Sequence, residues 1–180
     1  MRTLKRFLSF LASRMFFLTI ISALLIMAFY LAMNTANIWV LIDDGLGARA
    51  AAVLTGETQT ELTKYFKQEF ISQDPVLQVG RSDVSPYMDY EIRGFDHRVR
   101  MVSVWSWPWE DVARAEVIES IPAIDGTIKS SRREAALAAG GEERLSPPSW
   151  ATSRYRVTLT RTGGRWMIAN LQLIEQIEEE

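Results

Sequence analysis

The sequence predicts an α+β protein, built from one N-terminal transmembrane helix and a following domain whose helices cover a curved, mainly antiparallel sheet. Three observations predict it: an uncharged apolar run near the N-terminus, helical periodicity in the segment that follows, and alternation of apolar and polar residues through most of the remainder.

The run from Met15 to Met33 carries no charge. As a helix it spans about 29 Å, close to the hydrocarbon thickness of a bilayer. Arg2, Lys5, Arg6 and Arg14 precede it without an acid, and the first charges after it are Asp43 and Asp44. The positive-inside bias therefore sets residues 1–14 in the cytoplasm, residues 15–42 as the membrane helix with its outer interface, and residues 43–180 as one extracytoplasmic domain. A cleaved signal peptide fits less well, because its apolar core is about 7–15 residues long and ends at a small-x-small site. A buried helix of a soluble protein would show a polar face, and this run has none. Trp39 has two readings, an anchor at the outer headgroups or a packing residue of the domain.

Residues 43–180 match the common size of one domain and suffice to bury one core. The chain has a formal charge of -2, and the leading cations leave the exported part at about -6. That balance offers no basic surplus for nucleic acid. The chain has no Cys, which excludes disulfides and thiolate metal sites and makes a packed core the main source of stability.

Within the domain, Asp44 to Leu54 reads as a short helix weakened at its start by Gly45 and Gly47. After a turn at Thr55-Gly56, the capping-box pair Thr58 and Glu61 opens an amphipathic helix to about Ile71, with Leu62, Tyr65, Phe66 and Phe70 on one face. Extended structure begins near Tyr90 and restarts after Gly94. Arg98 to Trp107 reads as a strand with Val99, Met101, Trp105 and Trp107 on one face and Arg98 and Arg100 on the other, stopped by Pro108. Val112 to Ile121 follows as a strand, with a helix as the alternative, setting Ala113, Ala115, Val117 and Ile121 on its apolar face, and then comes a turn at Asp125-Gly126. Lys129 to Ser149 forms a long excursion with one or two exposed helical turns. Tyr155, Val157 and Leu159 alternate with Arg154, Arg156, Thr158 and Thr160 before the Thr162-Gly163-Gly164 turn. The returning strand, Trp166 to Ile174, sets Met167, Ala169, Leu171 and Leu173 on one face and Trp166, Ile168 and Ile174 on the other. Glu178 to Glu180 form a solvated tail.

Chemistry-bearing patterns are sparse. His97 is the only histidine, and no HExxH, GxSxG, Walker or EF-hand pattern occurs. No catalytic residue, cofactor or metal ligand is assigned, and the chain is not expected to be an enzyme. Asp96 adjoins His97, but neighbours in a strand point to opposite faces. Asp89, Glu91 and Asp96 read as solvated acids. The candidate interface or pocket residues are Trp105, Trp107 and Trp109, an aromatic cluster that fits either the core or a partner hot spot. Arg98, Arg100, Arg154 and Arg156 join them as a basic strip if their strands are neighbours, against the alternative of a mixed, solvated sheet face.

The order of elements, together with the ending GGRWMIANLQLIE at Gly163 to Glu175, resembles the nuclear transport factor 2-like fold. Membrane-tethered members are similar in plan, including inner-membrane assembly proteins of type IV secretion and conjugation systems and mammalian-cell-entry-associated proteins. The resemblance covers about residues 45–177 and implies a cone-like domain. For tethered members it implies a scaffold or docking role, and for some soluble ones a ligand or an activity inside the cone. No catalytic motif of the family occurs in this sequence. The expected partners are membrane lipids and an envelope protein or a second copy of the chain. A small ligand in the cone, or a carboxylate-based enzyme, is the alternative.

Overall fold

The computed structural model describes residues 2–56, 60–107 and 109–177. Thr58, Pro108 and Glu178 to Glu180, to which the sequence assigns a helix cap, a strand stop and a solvated tail, lie outside the described residues.

Helix α1, Arg2–Thr55, is one continuous element of 54 residues, about 80 Å long at the helical rise. The expected membrane helix and the expected short helix from Asp44 are thus a single rod, and the two glycines do not interrupt it. Between Met15 and Met33 α1 is apolar on every face, and Phe16, Phe17, Leu24, Leu25, Ile26 and Phe29 are all exposed. This stretch is long and apolar enough to span a membrane, and the domain buries none of its most apolar window. From Asn34 the character changes. Asn34, Ile38, Ile42, Leu46 and Ala50 recur one helical turn apart and are buried, the stripe a helix presents to a core. The part of α1 up to Ile42, expected at the outer interface, therefore already belongs to the core, while Trp39 stays exposed on the opposite side.

The amphipathic helix expected to run to Ile71 is broken. Leu62–Lys64 forms a 3-10 turn, Lys67 is extended, and α2 begins only at Gln68, running Gln68–Gln73. The cause is a tertiary claim on the backbone: Ile168 N donates to Tyr65 O and Lys67 N donates to Ile168 O, at 2.8 and 2.9 Å. Phe66 forms a parallel bridge with Ile168 there, so the apolar residues still face inward without a continuous helix. Helix α3, Pro75–Gly80, follows with Asp74 as its N-cap, the carboxylate accepting from Val76 N.

The strands form two antiparallel sheets. Strand β1, Tyr90–Phe95, pairs with β4, Ile124–Ile128. The expected Asp125-Gly126 turn thus lies inside a strand, with Gly126 opposite Ile92. The larger sheet has the order β2-β3-β5-β6, from Arg98–Trp105, Val112–Ser120, Ser153–Thr162 and Arg165–Gln176. Between β4 and β5 the excursion carries the exposed helix α4, Arg133–Gly140. The β5–β6 turn uses Gly163 and Gly164, with φ of 58° and 79°, values that favour glycine. Register shifts break the alternation in β2, between Met101 and Ser103, and in the β5–β6 pair, between Thr158 and Leu159. The second shift places Trp166, Ile168 and Leu171 toward α1, so Trp166 and Ile168 share a face with Leu171 instead of opposing it.

The core lies between α1, the short helices and the inner face of the larger sheet. Phe66, Leu62, Leu77, Val117, Val157, Leu159 and Ile168 fill it beside the α1 stripe. Rings of Phe66 and Phe70 stack at 5.0 Å.

Candidate functional site

The strand directions bring two turns to one end of the domain, where α1 emerges. Strand β2 ends at Trp105 and β5 ends at Thr162, so the β2–β3 loop and the β5–β6 turn both lie at this foot. Asn34 ties the foot to α1. Its Nδ2 donates to Ser106 Oγ at 2.6 Å, and its Oδ1 accepts from Trp166 Nε1 at 2.8 Å. Arg161 adds a longer bond to the same oxygen and stacks over the Trp166 ring, its guanidinium 4.5 Å from the centroid.

The aromatic cluster occupies the β2–β3 loop. Trp105 and Trp107 meet edge to face at 5.5 Å, and Trp107 and Trp109 stack at 5.0 Å. Trp105 does not share the face of Val99 and Met101 as its spacing predicts. The bulge at Val102 hands the inward position to Val104, opposite Ala115, and turns Trp105 outward beside Arg114. Trp105 and Trp109 are 61% and 68% exposed, so neither fills the core, while Trp107 is half-buried beyond the end of the strand. Trp109 lines a cleft of about 440 Å³ with Ala23, Ile26, Met27 and Tyr30 of α1.

The four arginines do not form one strip, because β3 lies between β2 and β5. Arg98 pairs with Asp96. Arg154 and Arg156 converge on Glu116 of β3, at 2.9 and 3.1 Å, and Arg154 also reaches Glu175 at 3.2 Å. Hydrogen bonds from Arg156 and then Arg154 hold the Glu116 carboxyl below the usual carboxylate range. Arg100 has no ion pair among the described residues and stands across Ile118 from Arg154. The outer sheet face is therefore a mixed, mostly neutralised surface.

A buried charge cluster escaped the sequence reading. Arg49 of α1 grips Asp74 with two hydrogen bonds, 2.6 and 3.2 Å, and both side chains are 3% exposed. Glu119 is fully buried nearby, with Oε1 3.2 Å from His97 Nε2. Burial opposes the Arg49 charge, but the Asp74 hydrogen bond and the Asp74 and Glu119 charges outweigh it and raise the guanidinium pKa. Arg49 Nη1 and Glu119 Oε2 have no hydrogen-bond partner among the described residues. A signal for Glu119 existed: it shares the parity of Ala113, Ala115, Val117 and Ile121 and so faces inward. His97 partners Glu119, not the adjacent Asp96. Asp89 pairs with Arg132 at the surface.

An open groove of about 340 Å³ lies beside this cluster, lined mainly by Val53, Val76, Val79, Tyr87, Trp150 and Tyr155. Burial pushes the Tyr87 phenol up from its ordinary pKa. Among the described residues no cluster of His, Asp or Glu has the makings of a metal site.

No family model matches the chain, and no curated protein or solved structure matches it.

Proposed function

We propose that the protein is a non-enzymatic, single-pass membrane scaffold, with its N-terminus in the cytoplasm and its α+β domain outside, where it docks an envelope protein by strand addition. The observation that carries this is the free edge of β6. One side of β6 pairs with β5 along its length. Among the described residues the other side is held by Tyr65 and Lys67 only around Ile168. Beyond that point Leu173 and Ile174 are 48% and 39% exposed. An exposed edge that carries these two apolar residues and unpaired backbone groups invites another strand, and natural proteins cover or blunt such edges. The continuous α1 supports the same reading, because a domain built on its own membrane helix is presented at fixed height, and tethering raises the local concentration of the docking edge. The tethered nuclear transport factor 2-like plan is part of this proposal, supported by helices preceding an antiparallel sheet and by the Gly163 to Trp166 turn.

The test is a photo-reactive amino acid at Leu173 of the full chain in intact membranes, with the same group at Val84 as control. One discrete adduct from position 173 alone supports docking, and its mass separates a second copy of this chain from a different protein. Diffuse or absent adducts in repeated trials overturn it.

The apolar groove favours a second reading, a small-ligand site. If it holds apolar ligands, an anilinonaphthalene sulfonate probe binds the folded chain and Val76→Trp, which fills the groove, abolishes the signal without lowering the melting temperature.

A further inference from the structure

We infer that the loop carrying Trp105, Trp107 and Trp109 inserts its rings into the outer leaflet of the same bilayer that α1 crosses, giving the domain a second lipid contact. This rests on the membrane-anchor part of the proposed function and adds a site to it.

Position carries the inference. Trp109 shares its cleft with Ala23, Ile26, Met27 and Tyr30, residues inside the apolar run and not above it. For a helix crossing between Met15 and Met33, Tyr30 lies about 4 Å and Ala23 about 15 Å below the outer exit. Trp109 is thus centred about 10 Å below it, near the depth at which interfacial amphipathic elements rest. The rest of the foot agrees, since Phe29, Tyr30, Met33, Arg161, Gly164 and Trp166 border one further cleft around α1.

Chemistry fits the same occupant. Two exposed indoles in one stacked cluster are a poor surface for water, whereas Trp concentrates at headgroup level, where an apolar ring and a polar N–H are both satisfied. Glu110 and Asp111 follow the last ring and are exposed, so the backbone turns back toward the headgroups after Trp109 and only the indole reaches down beside α1. The Asn34 to Ser106 bond pins the loop to α1, which keeps the rings at this level. Trp39, nine positions beyond Tyr30, is raised about 13 Å and stands clear of the lipid.

The absence of Cys makes the test direct, because single-cysteine variants of the full chain take one spin label each. Trp109→Cys, Leu25→Cys and Val84→Cys, labelled in phosphatidylethanolamine–phosphatidylglycerol vesicles, are compared for collision with oxygen and with a neutral nickel chelate. The oxygen-to-nickel ratio at 109 is expected to approach that at 25 and to exceed that at 84 on the order of tenfold, since the chelate is excluded from hydrocarbon. If 25 is protected while 109 resembles 84, the anchor stands and the loop inference falls. If 25 itself is open to the chelate, the membrane reading fails and the inference with it. As a measurement independent of the labelled variants, brominated-chain lipids are expected to quench the native tryptophan emission, and less so in Trp109→Phe. Equal quenching in both proteins overturns insertion of Trp109.

Discussion

Replacing Arg49 with Met tests whether the buried ion pair holds the helix to the sheet. The Arg49 and Asp74 side chains are 3% exposed and meet through two hydrogen bonds. Glu119 lies fully buried on the same cation's electrostatic field. Methionine fills most of the volume but leaves two buried carboxylates without their guanidinium. Breaking a buried pair in this way costs about 3–5 kcal/mol, a large share of the about 5–15 kcal/mol available to a domain. At about 3 °C per kcal/mol for a domain of this size, the melting temperature should fall by about 9–15 °C. The assay is near-ultraviolet circular dichroism of the full chain in lipid nanodiscs, with temperature. The paired variant Arg49→Met/Asp74→Asn keeps an N-cap for α3 and removes one stranded charge, so it should recover much of the loss. A drop of less than about 1 kcal/mol in Arg49→Met would refute the reasoning, because such a value belongs to solvent-exposed pairs.

The other expectations use the same melting assay. Gly47→Ala should stabilise by about 0.5–1 kcal/mol through helix propensity, since its new methyl meets only the His97 ring, whose nearest atom, Nδ1, stands at an ordinary 3.4 Å. Gly45→Ala should destabilise, because its methyl would stand 2.9 Å from buried Ile168 Cδ1 and 3.2 Å from Tyr65 Cβ, and such overpacking costs about 1–3 kcal/mol. Equal effects at the two positions would contradict this packing. Asn34→Leu should cost about 1–3 kcal/mol by stranding the Trp166 N–H and Ser106, and it should loosen the foot, seen as faster proteolysis of the β5–β6 turn. Glu116 has a lowered folded pKa, so its contribution is present above the unfolded carboxylate value and fades as pH falls through the folded one. The native-minus-Glu116→Gln difference in melting temperature should therefore be seen at neutral pH and vanish in acid; a difference that grows in acid would reverse the assignment.

The legible parts of this fold are those where local pattern and tertiary contact agree. The β5–β6 hairpin was readable because Tyr155, Val157 and Leu159 alternate without fault into a glycine turn. The register of β6 was not, since a bulge near Ala169 gives no compositional sign and reverses parity as far as Leu173, where a second shift at Ile174 restores it. A bulge at Val102 did the same to Trp105, turning a residue spaced for the core into an exposed one. The helix expected through Phe66 failed for another reason: its periodicity is real, but Ile168 takes the backbone groups that helix would have used. At the candidate site, the aromatic cluster and the paired arginines were visible as residue types. Their neighbours depend on strand order, which spacing alone does not carry. Arg49 and Asp74 lie far apart in sequence, and only the packing of α1 on α3 makes them partners.

The continuity of α1 leads to a last prediction about where the domain begins. A charge-based division starts it at Asp43, yet Ile38 and Ile42 are fully buried and Asn34 is nearly so. A fragment 43–180 loses both isoleucines, each worth about 1.5–3 kcal/mol when buried, and it exposes the partners Asn34 had satisfied. That loss approaches the whole stability of a domain of this size. A fragment 30–180 keeps all of these contacts and discards most of the apolar run. The shorter fragment should show no cooperative melt, and the longer one should melt near the full chain in mild detergent. Equal melting of the two would mean that the sheet and short helices close a core without the membrane-proximal turns of α1, and the rigid coupling on which the scaffold proposal depends would be lost.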